Sequence, residues 1–446
     1  MPMSQPKSWP CCPEASVYFN HRFESYAQSN PTLASMRHRF LMQGGVALET
    51  LIDHWVLPDT QTLLDELSEI GLQELCTPEG DRYWKHPTAR LPMVLVDYPL
   101  QKPTMAIGVE SIELFLLKNE LDASLVEGTL ESNYRSATVS LEQNNLIVMS
   151  RLGYAGFQTQ PISPDQVGLL ELLRSQLALR GRNGDESETC KRISKIVKTA
   201  STDLGQARVA EEFFASEREY YLTRNAAARF QYSRQQQLGI GWANHDHHTY
   251  RSSRQGFRGL INLWLTMGFE IREKFYAGAE AGWGAQVLEH PVSRVVLFTD
   301  VDMSPDELDT DFAEETLSPR DELGTIGLWC SLHGSSIGAA GMHHIECEFD
   351  FTTAESLHQA QGGVMSPFTD LPMLKQAFTQ PEMWQVPEDR LLPLVQRGII
   401  TPAQAHQFHD KGAPGSHLEI LQRWEGFKGF NQTGISHIIR ETDARR

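Results

Sequence analysis

The feature that most narrows what this chain can fold into is an internal echo between its halves. The first half carries LSEIGLQEL and then YWKHPTARLPMVLVD. The second carries LTMGFEIREKFYAGAEAGWGAQVLEHP and then SRVVLFTD. In both, a helix pattern stops at glycine (Gly71, Gly268) and a strand pattern follows. A Trp-bearing segment then ends in His-Pro (His86-Pro87, His290-Pro291), and an Arg-led apolar strand closes on Asp97 or Asp300. The His-to-Asp gaps differ by one residue, the Gly-to-His gaps by seven. Two copies of a helix-and-strand unit in the same order predict modules that pack side by side and enclose a shared cleft.

The remainder of the sequence fits that frame. At 446 residues, 40% hydrophobic and 22% charged, the chain suits two or three packed units. A net charge of -18 repels phosphate backbones and anionic bilayers, which argues against nucleic-acid and membrane partners. No apolar run is long enough to span a bilayer and no secretory pattern opens the chain, so the expected compartment is cytoplasmic. The six cysteines form no CxxC pair, as expected of reduced thiols.

Along the chain, residues 1–30 read as a flexible arm, 31–180 as a first module region, 181–237 as linker and helices, and 238–446 as a second module region. The spacing of Leu63, Leu64, Leu67 and Ile70 predicts a helix over 60–70. Met93 to Tyr98 reads as a buried strand, and 136–154 as a hairpin turning on Asn144-Asn145. Residues 211–237 read as helical, with extra helices expected near 165–180, 207–237 and 380–410. Gly434 to Glu441 reads as a strand, and the glycine-rich Leu332 to Gly341 as a flexible loop able to act as a lid.

Three constellations could bind a metal. The first is NHDHHTYR, with His245, His247, His248 and, downstream, Arg251. On a strand, His245 and His247 share a face while His248 points away, so one or two of them can hold one ion. The second is His343-His344 with Glu346 and Glu348, where alternation puts His344, Glu346 and Glu348 on one face. The third is His437 with Glu441. No GxSxG elbow, HExxH helix or kinase motif set is present.

Taken together, the repeated strand-helix-strand pattern and the dispersed His, His, Glu candidates resemble the vicinal-oxygen-chelate superfamily. HHIECEFDFTTAESL looks like the first strand and helix of such a module, and DHWVLPDTQTLLDELSEIGL has a similar outline around His54. Within that superfamily, His247, Arg251, Met267-Gly268 and the strand Glu270 to Tyr276 resemble the 2-oxoadipate dioxygenase/decarboxylase (2-hydroxyglutarate synthase) family. The resemblance implies an α+β fold of tandem βαβββ modules forming curved sheets around a metal cleft. It implies that His247 binds Fe(II), that Arg251 grips a substrate carboxylate, and that a later module supplies a second His and a closing-strand Glu. His344 and Glu441 are the candidates for those places, with His245, His248, Glu346, Glu348 and His437 in reserve. The implied activity is a dioxygenase using O2 on a small carboxylate, such as a 2-oxo acid, with oxidative decarboxylation. Two alternatives stand beside it: a glyoxalase-like lyase or isomerase using Zn, Mn or Ni, and a non-enzymatic binding protein of the same fold.

Overall fold

The structure, a computed structural model, describes residues 9–97, 102–123, 125–307, 309–311, 314–431 and 442–445. Two helices come first, α1 (Pro13–Gln28) and α2 (Pro31–Gly44). The arm expected over residues 1–30 is therefore a helix from Pro13 onward. Proline suits the first helical turn, and Phe19, Phe23 and Tyr26 recur at helical spacing and are buried. The Pro/Ser-rich composition had hidden that apolar stripe.

The first sheet is built from two βαβββ modules. One is β1 (Ile52–Pro58), α3 (Gln61–Glu69), β2 (Gln73–Cys76), β3 (Arg82–Lys85) and β4 (Met93–Asp97). The next is β5 (Thr104–Gly108), α4 (Ile112–Lys118), β6 (Val126–Glu127), β7 (Tyr134–Ser140) and β8 (Asn145–Arg151). Their strand order is β2-β3-β4-β1-β5-β8-β7-β6. Thr60 caps α3 by accepting the Leu63 N–H, and the expected β7–β8 hairpin forms but turns over residues 141–144 rather than on Asn144-Asn145, since Asn145 already pairs with Ser140.

Four helices follow: α5 (Pro164–Ala178), α6 (Glu186–Leu204), α7 (Gln206–Arg224) and α8 (Ala226–Leu238). The helical stretch expected over 211–237 is formed by two helices, α7 and α8. Asn225 leaves the helical region, and its side chain accepts the Ala228 N–H to start α8. Gly239 ends α8 at φ 80°, where a Cβ would fall 2.5 Å from the Phe115 backbone, so only glycine fits.

The second sheet repeats the first. Its opening module is β9 (His245–Arg251), α9 (Arg254–Thr266), β10 (Glu270–Tyr276), β11 (Trp283–Glu289) and β12 (Val296–Asp302). After α10 (Thr325–His333) come β13 (His344–Glu348), α11 (Phe351–Gln359), β14 (Met365–Leu371) and β15 (Leu374–Thr379). An insertion then intervenes: β16 (Met383–Trp384), α12 (Glu388–Gln396), α13 (Pro402–Asp410) and β17 (Ala413–Pro414). The module closes with β18 (Glu419–Arg423). The order β10-β11-β12-β9-β13-β18-β15-β14 matches the first sheet place for place. The fold is α+β, with tandem βαβββ modules in two curved sheets and added helices, as expected. The expected strand Gly434 to Glu441 lies outside the described residues. The expected lid does not move free of the core: Ser336 and Ile337 are fully buried, and Ser336 exchanges hydrogen bonds of 2.8 and 2.9 Å with the Arg251 backbone.

The echo has a structural cause. In the loop before the closing strand of each opening module, the His-Pro imidazole serves as a cap. His86 Nδ1 accepts the N–H groups of Thr88 and Ala89; His290 Nδ1 accepts those of Val292 and Ser293. Each ring then lies against the helix-stop glycine, where a Cβ on Gly71 or Gly268 would come within 3.1 or 3.0 Å of Nε2. With Nδ1 accepting, the His290 proton is on Nε2 and is donated to the Met267 carbonyl at 3.1 Å. His290→Ala strands these buried groups. We expect it to cost about 2–3 kcal/mol in urea unfolding, with a smaller loss for the more exposed His86→Ala.

A candidate metal centre in the second sheet

Strand β9 is central in its sheet, flanked by β12 and β13, and nearly all of it is buried. Alternation sends His247, Thr249 and Arg251 to one face. His248 and Tyr250 take the other, where both rings lie against Phe214. The antiparallel register with β13 puts His344 opposite Thr249 and Glu346 opposite His247. The parallel register with β18 puts Glu419 beside Glu346. Three neighbouring strands thus bring His247, His344 and Glu419 together, with one potential ligand atom from each lying within 4.8 Å of the others.

The residues named from sequence separate cleanly. His247 and His344 converge. His245 does not share their face, because a β-bulge at Asp246 shifts the register so that His245 pairs with Cys347. Its Nδ1 bonds to the Trp242 carbonyl at 2.8 Å, and its ring packs on His248. His248 is buried behind the sheet, with Nε2 3.4 Å from Arg218. Glu346 sits behind His247, with Oε1 3.0 Å from Nδ1, and accepts a 2.8 Å hydrogen bond from Gln376. Glu348 faces Arg90 at 3.6 Å and joins no donor cluster among the described residues. Glu441 and His437 lie outside the described residues.

Glu419 and His417 were missed. Their signal was present, since His417 and Glu419 alternate with Leu418 and Ile420 much as HIECEF does in β13. The insertion between β15 and β18 separated this strand from its module and hid it. His417 Nε2 lies 3.0 Å from Glu419 Oε1, and its ring stacks on His344 at 4.9 Å. Two further donor trios, one of His343, His344 and His417 and one of Asp246, His247 and Glu346, each share one residue with the first.

Burial governs the charge states. It holds His344 well below the usual imidazole range, helped by neighbouring His417, so the ring is neutral and able to ligate. Burial works against charge on His247 too, but Glu346 and Asp246 on its Nδ1 side raise it to about 9. Glu419 is pushed well up by burial and by Glu346. Asp300, on β12, is pushed up to about 7, mainly by burial.

These groups open into a cavity of about 100 Å³. Phe275, Phe298, Phe378 and Phe430 form its apolar wall. Arg251 projects into it, 5% exposed, with its guanidinium carbon 5.3 Å from the Trp329 ring centre. Among the described residues, Arg251 Nε has no hydrogen-bond partner, and the nearest carboxylate oxygen, Asp300 Oδ2, is 3.9 Å away.

Among the described residues, the first sheet has no such donor set. His54 lies opposite Met93, the first residue of β4, as His247 lies opposite Val296, the first residue of β12. The same registers make Thr104 the counterpart of His344 and Ile147 the counterpart of Glu419. One imidazole therefore stands alone there.

No family model matches the sequence, and no curated protein matches it. Solved structures similar to it include a glyoxalase superfamily protein from Ralstonia eutropha JMP134, 12% identical over 59% of this chain and 96% of that one, with a TM-score of 0.35. A 4-hydroxymandelate synthase variant from Streptomyces coelicolor is 12% identical over 89% and 99%, with a TM-score of 0.29. The Shigella flexneri protein YdcJ, which includes domain DUF1338, is 12% identical over 54% and 73%, with a TM-score of 0.25. No helix among the described residues is long and apolar enough to cross a membrane.

Proposed function

We propose that the chain is a non-haem Fe(II)-dependent dioxygenase acting on a small carboxylate, with His247, His344 and Glu419 holding the metal. The observation that carries this reading is the meeting of two imidazoles and one carboxylate, from three adjacent strands, in a cavity that also contains Arg251. Such a donor set occupies one face of the ion and, with Fe(II) bound, supplies open positions for substrate and O2 chemistry. The buried donors fit it. His344 is neutral, Glu419 brings compensating charge, and the carboxylates at His247 Nδ1 leave Nε2 as the ligand atom. The His343–His344–His417 trio is the weaker choice, because His343 and His344 meet Nδ1 to Nδ1 at 2.9 Å and no carboxylate balances the ion.

The chain's own groups define the substrate's place. Arg251 presents a planar fork for a carboxylate, and the phenylalanine wall excludes water and strengthens that pairing. Asp300, beside Arg251 on the neighbouring strand, offers Oδ1, which has no hydrogen-bond partner among the described residues, to a hydroxyl or other donor on the substrate. Asp300 also favours a second reading, a glyoxalase-like lyase or isomerase with Zn, Mn or Ni, since a carboxyl pushed up to about 7 suits proton transfer.

Anaerobic purification with metal analysis separates the two. Reconstitution with Fe(II), followed by O2-electrode measurements on a panel of small 2-oxo acids, should show stoichiometric iron and acid-dependent oxygen uptake. Stoichiometric Zn, Mn or Ni with no oxygen uptake under any of the acids would favour the second reading instead.

A further inference from the structure

The two halves exchange arginines. Arg90, in the loop before β4, reaches out of the first half, its Nη1 2.6 Å from Asp246 Oδ2. Arg294, at the matching place before β12, reaches the opposite way, its Nη1 3.7 Å from Asp53 Oδ1. Each aspartate immediately precedes the counterpart histidine and touches its Nδ1: Asp53 with His54 at 2.8 Å, Asp246 with His247 at 3.3 Å. Each is held a second time from the closing strand, Asp53 by Arg151 at 2.9 Å and Asp246 by Arg423 at 3.0 Å. Arg151 and Arg423 are themselves counterparts, each four residues beyond Ile147 or Glu419. The pattern is a pseudo-two-fold in which every element has a twin, but only one copy surrounds a donor set.

We propose that Arg90 is a positioning residue through which the first half tunes the metal centre of the second. Its guanidinium clamps Asp246 on the Nδ1 side of His247, and its Nη2 also reaches the His245 carbonyl at 3.4 Å, next to the bulge that turns His247 inward. Groups behind a ligand imidazole fix its orientation and basicity. The twin bridge, Arg294 to Asp53, ends beside His54, in a sheet that carries Thr104 and Ile147 where the second carries His344 and Glu419, so in this inference its role is structural alone. The inference rests on the reading of His247, His344 and Glu419 as ligands.

The twin provides the control. Full-length wild type, Arg90→Met, Arg90→Lys and Arg294→Met are titrated with Co(II) under chelator competition. Affinity and the visible ligand-field bands of the bound ion are recorded, together with melting of the metal-free proteins. The expected result is about a tenfold loss of Co(II) affinity with altered bands for Arg90→Met, an intermediate loss for Arg90→Lys, and wild-type affinity and bands for Arg294→Met. Melting temperatures should fall in both Met variants, since each loses a bridge between halves. Equal affinity in wild type and Arg90→Met, or an equal loss in Arg294→Met, overturns the inference alone. Wild type that binds no Co(II) at stoichiometry overturns the site reading and the inference with it. Should Arg90→Met not fold, the comparison of Arg90→Lys with Arg294→Met decides by the same criteria.

Discussion

Glu419→Gln should abolish stoichiometric metal binding and, at the same time, make the metal-free protein more stable. The carboxylate is buried, and its neighbour on β13, Glu346, lies within the same cluster of acids and imidazoles. Burial and Glu346 both disfavour its ionised form. A metal ion would relieve that conflict, and so would a neutral amide, but only the metal requires the charge. The gain expected in urea unfolding of the apo form is about 1–2 kcal/mol, the range seen when a strained functional group is replaced. His247→Ala should also lose the metal but should not stabilise, because it leaves Glu346 and Asp246 without the imidazole between them. A Glu419→Gln protein that keeps full metal content would remove Glu419 from the ligand set and direct attention to the trio formed by His343, His344 and His417.

Arg251→Lys carries the next largest effect. The side chain is buried and, among the described residues, its Nε is unpaired with the nearest carboxylate beyond hydrogen-bond reach, which supports its proposed role as a carboxylate clamp. An ammonium cannot reproduce the two-pronged contact or rest on Trp329 as the planar group does. With metal content unchanged, kcat/KM should fall by the equivalent of about 2–4 kcal/mol, the scale for a desolvated charged pair broken on one side. A surface arginine would cost under about 1 kcal/mol. Thermal-shift screening of mono- and dicarboxylates, including 2-oxo acids, gives an assay-free check. Equal stabilisation of both proteins by the same acid would exclude Arg251 as the carboxylate clamp.

The architecture was legible because the modules carry local punctuation. A helix with apolar residues at i, i+3 and i+4, a glycine stop and a His-Pro cap recur in both halves, and each is a short-range signal. His247, His344 and Arg251 were legible for the same reason, lying in compact polar clusters on strands with clear alternation. Three features were not legible, each through a non-local cause. The bulge at Asp246 removes His245 from the face that strict alternation assigns it, and a bulge depends on the partner strand's register. Glu419 belongs to a strand that sits next to β13 in space but follows it only after the insertion. Residues 13–28 bury their aromatic stripe against a core that the local composition does not announce.

The placement of β18 also constrains the order in which the protein can be made. The first sheet uses strands β1 to β8 in an unbroken run, so all of its pairing partners exist once residue 151 has been synthesised. The second sheet differs, because β18 lies between β13 and β15 and, among the described residues, is the last of its strands to emerge. Until it does, β13 presents an open edge and the β14–β15 hairpin has nothing to join. Domains fold as units during synthesis, N-terminal first, and unpaired strand edges are templates for wrong partners. A growing chain therefore passes through a stage in which the strands of the first sheet are all made, while His247 and His344 precede Glu419. The donor trio of the proposed site is therefore complete only once β18 has joined the sheet.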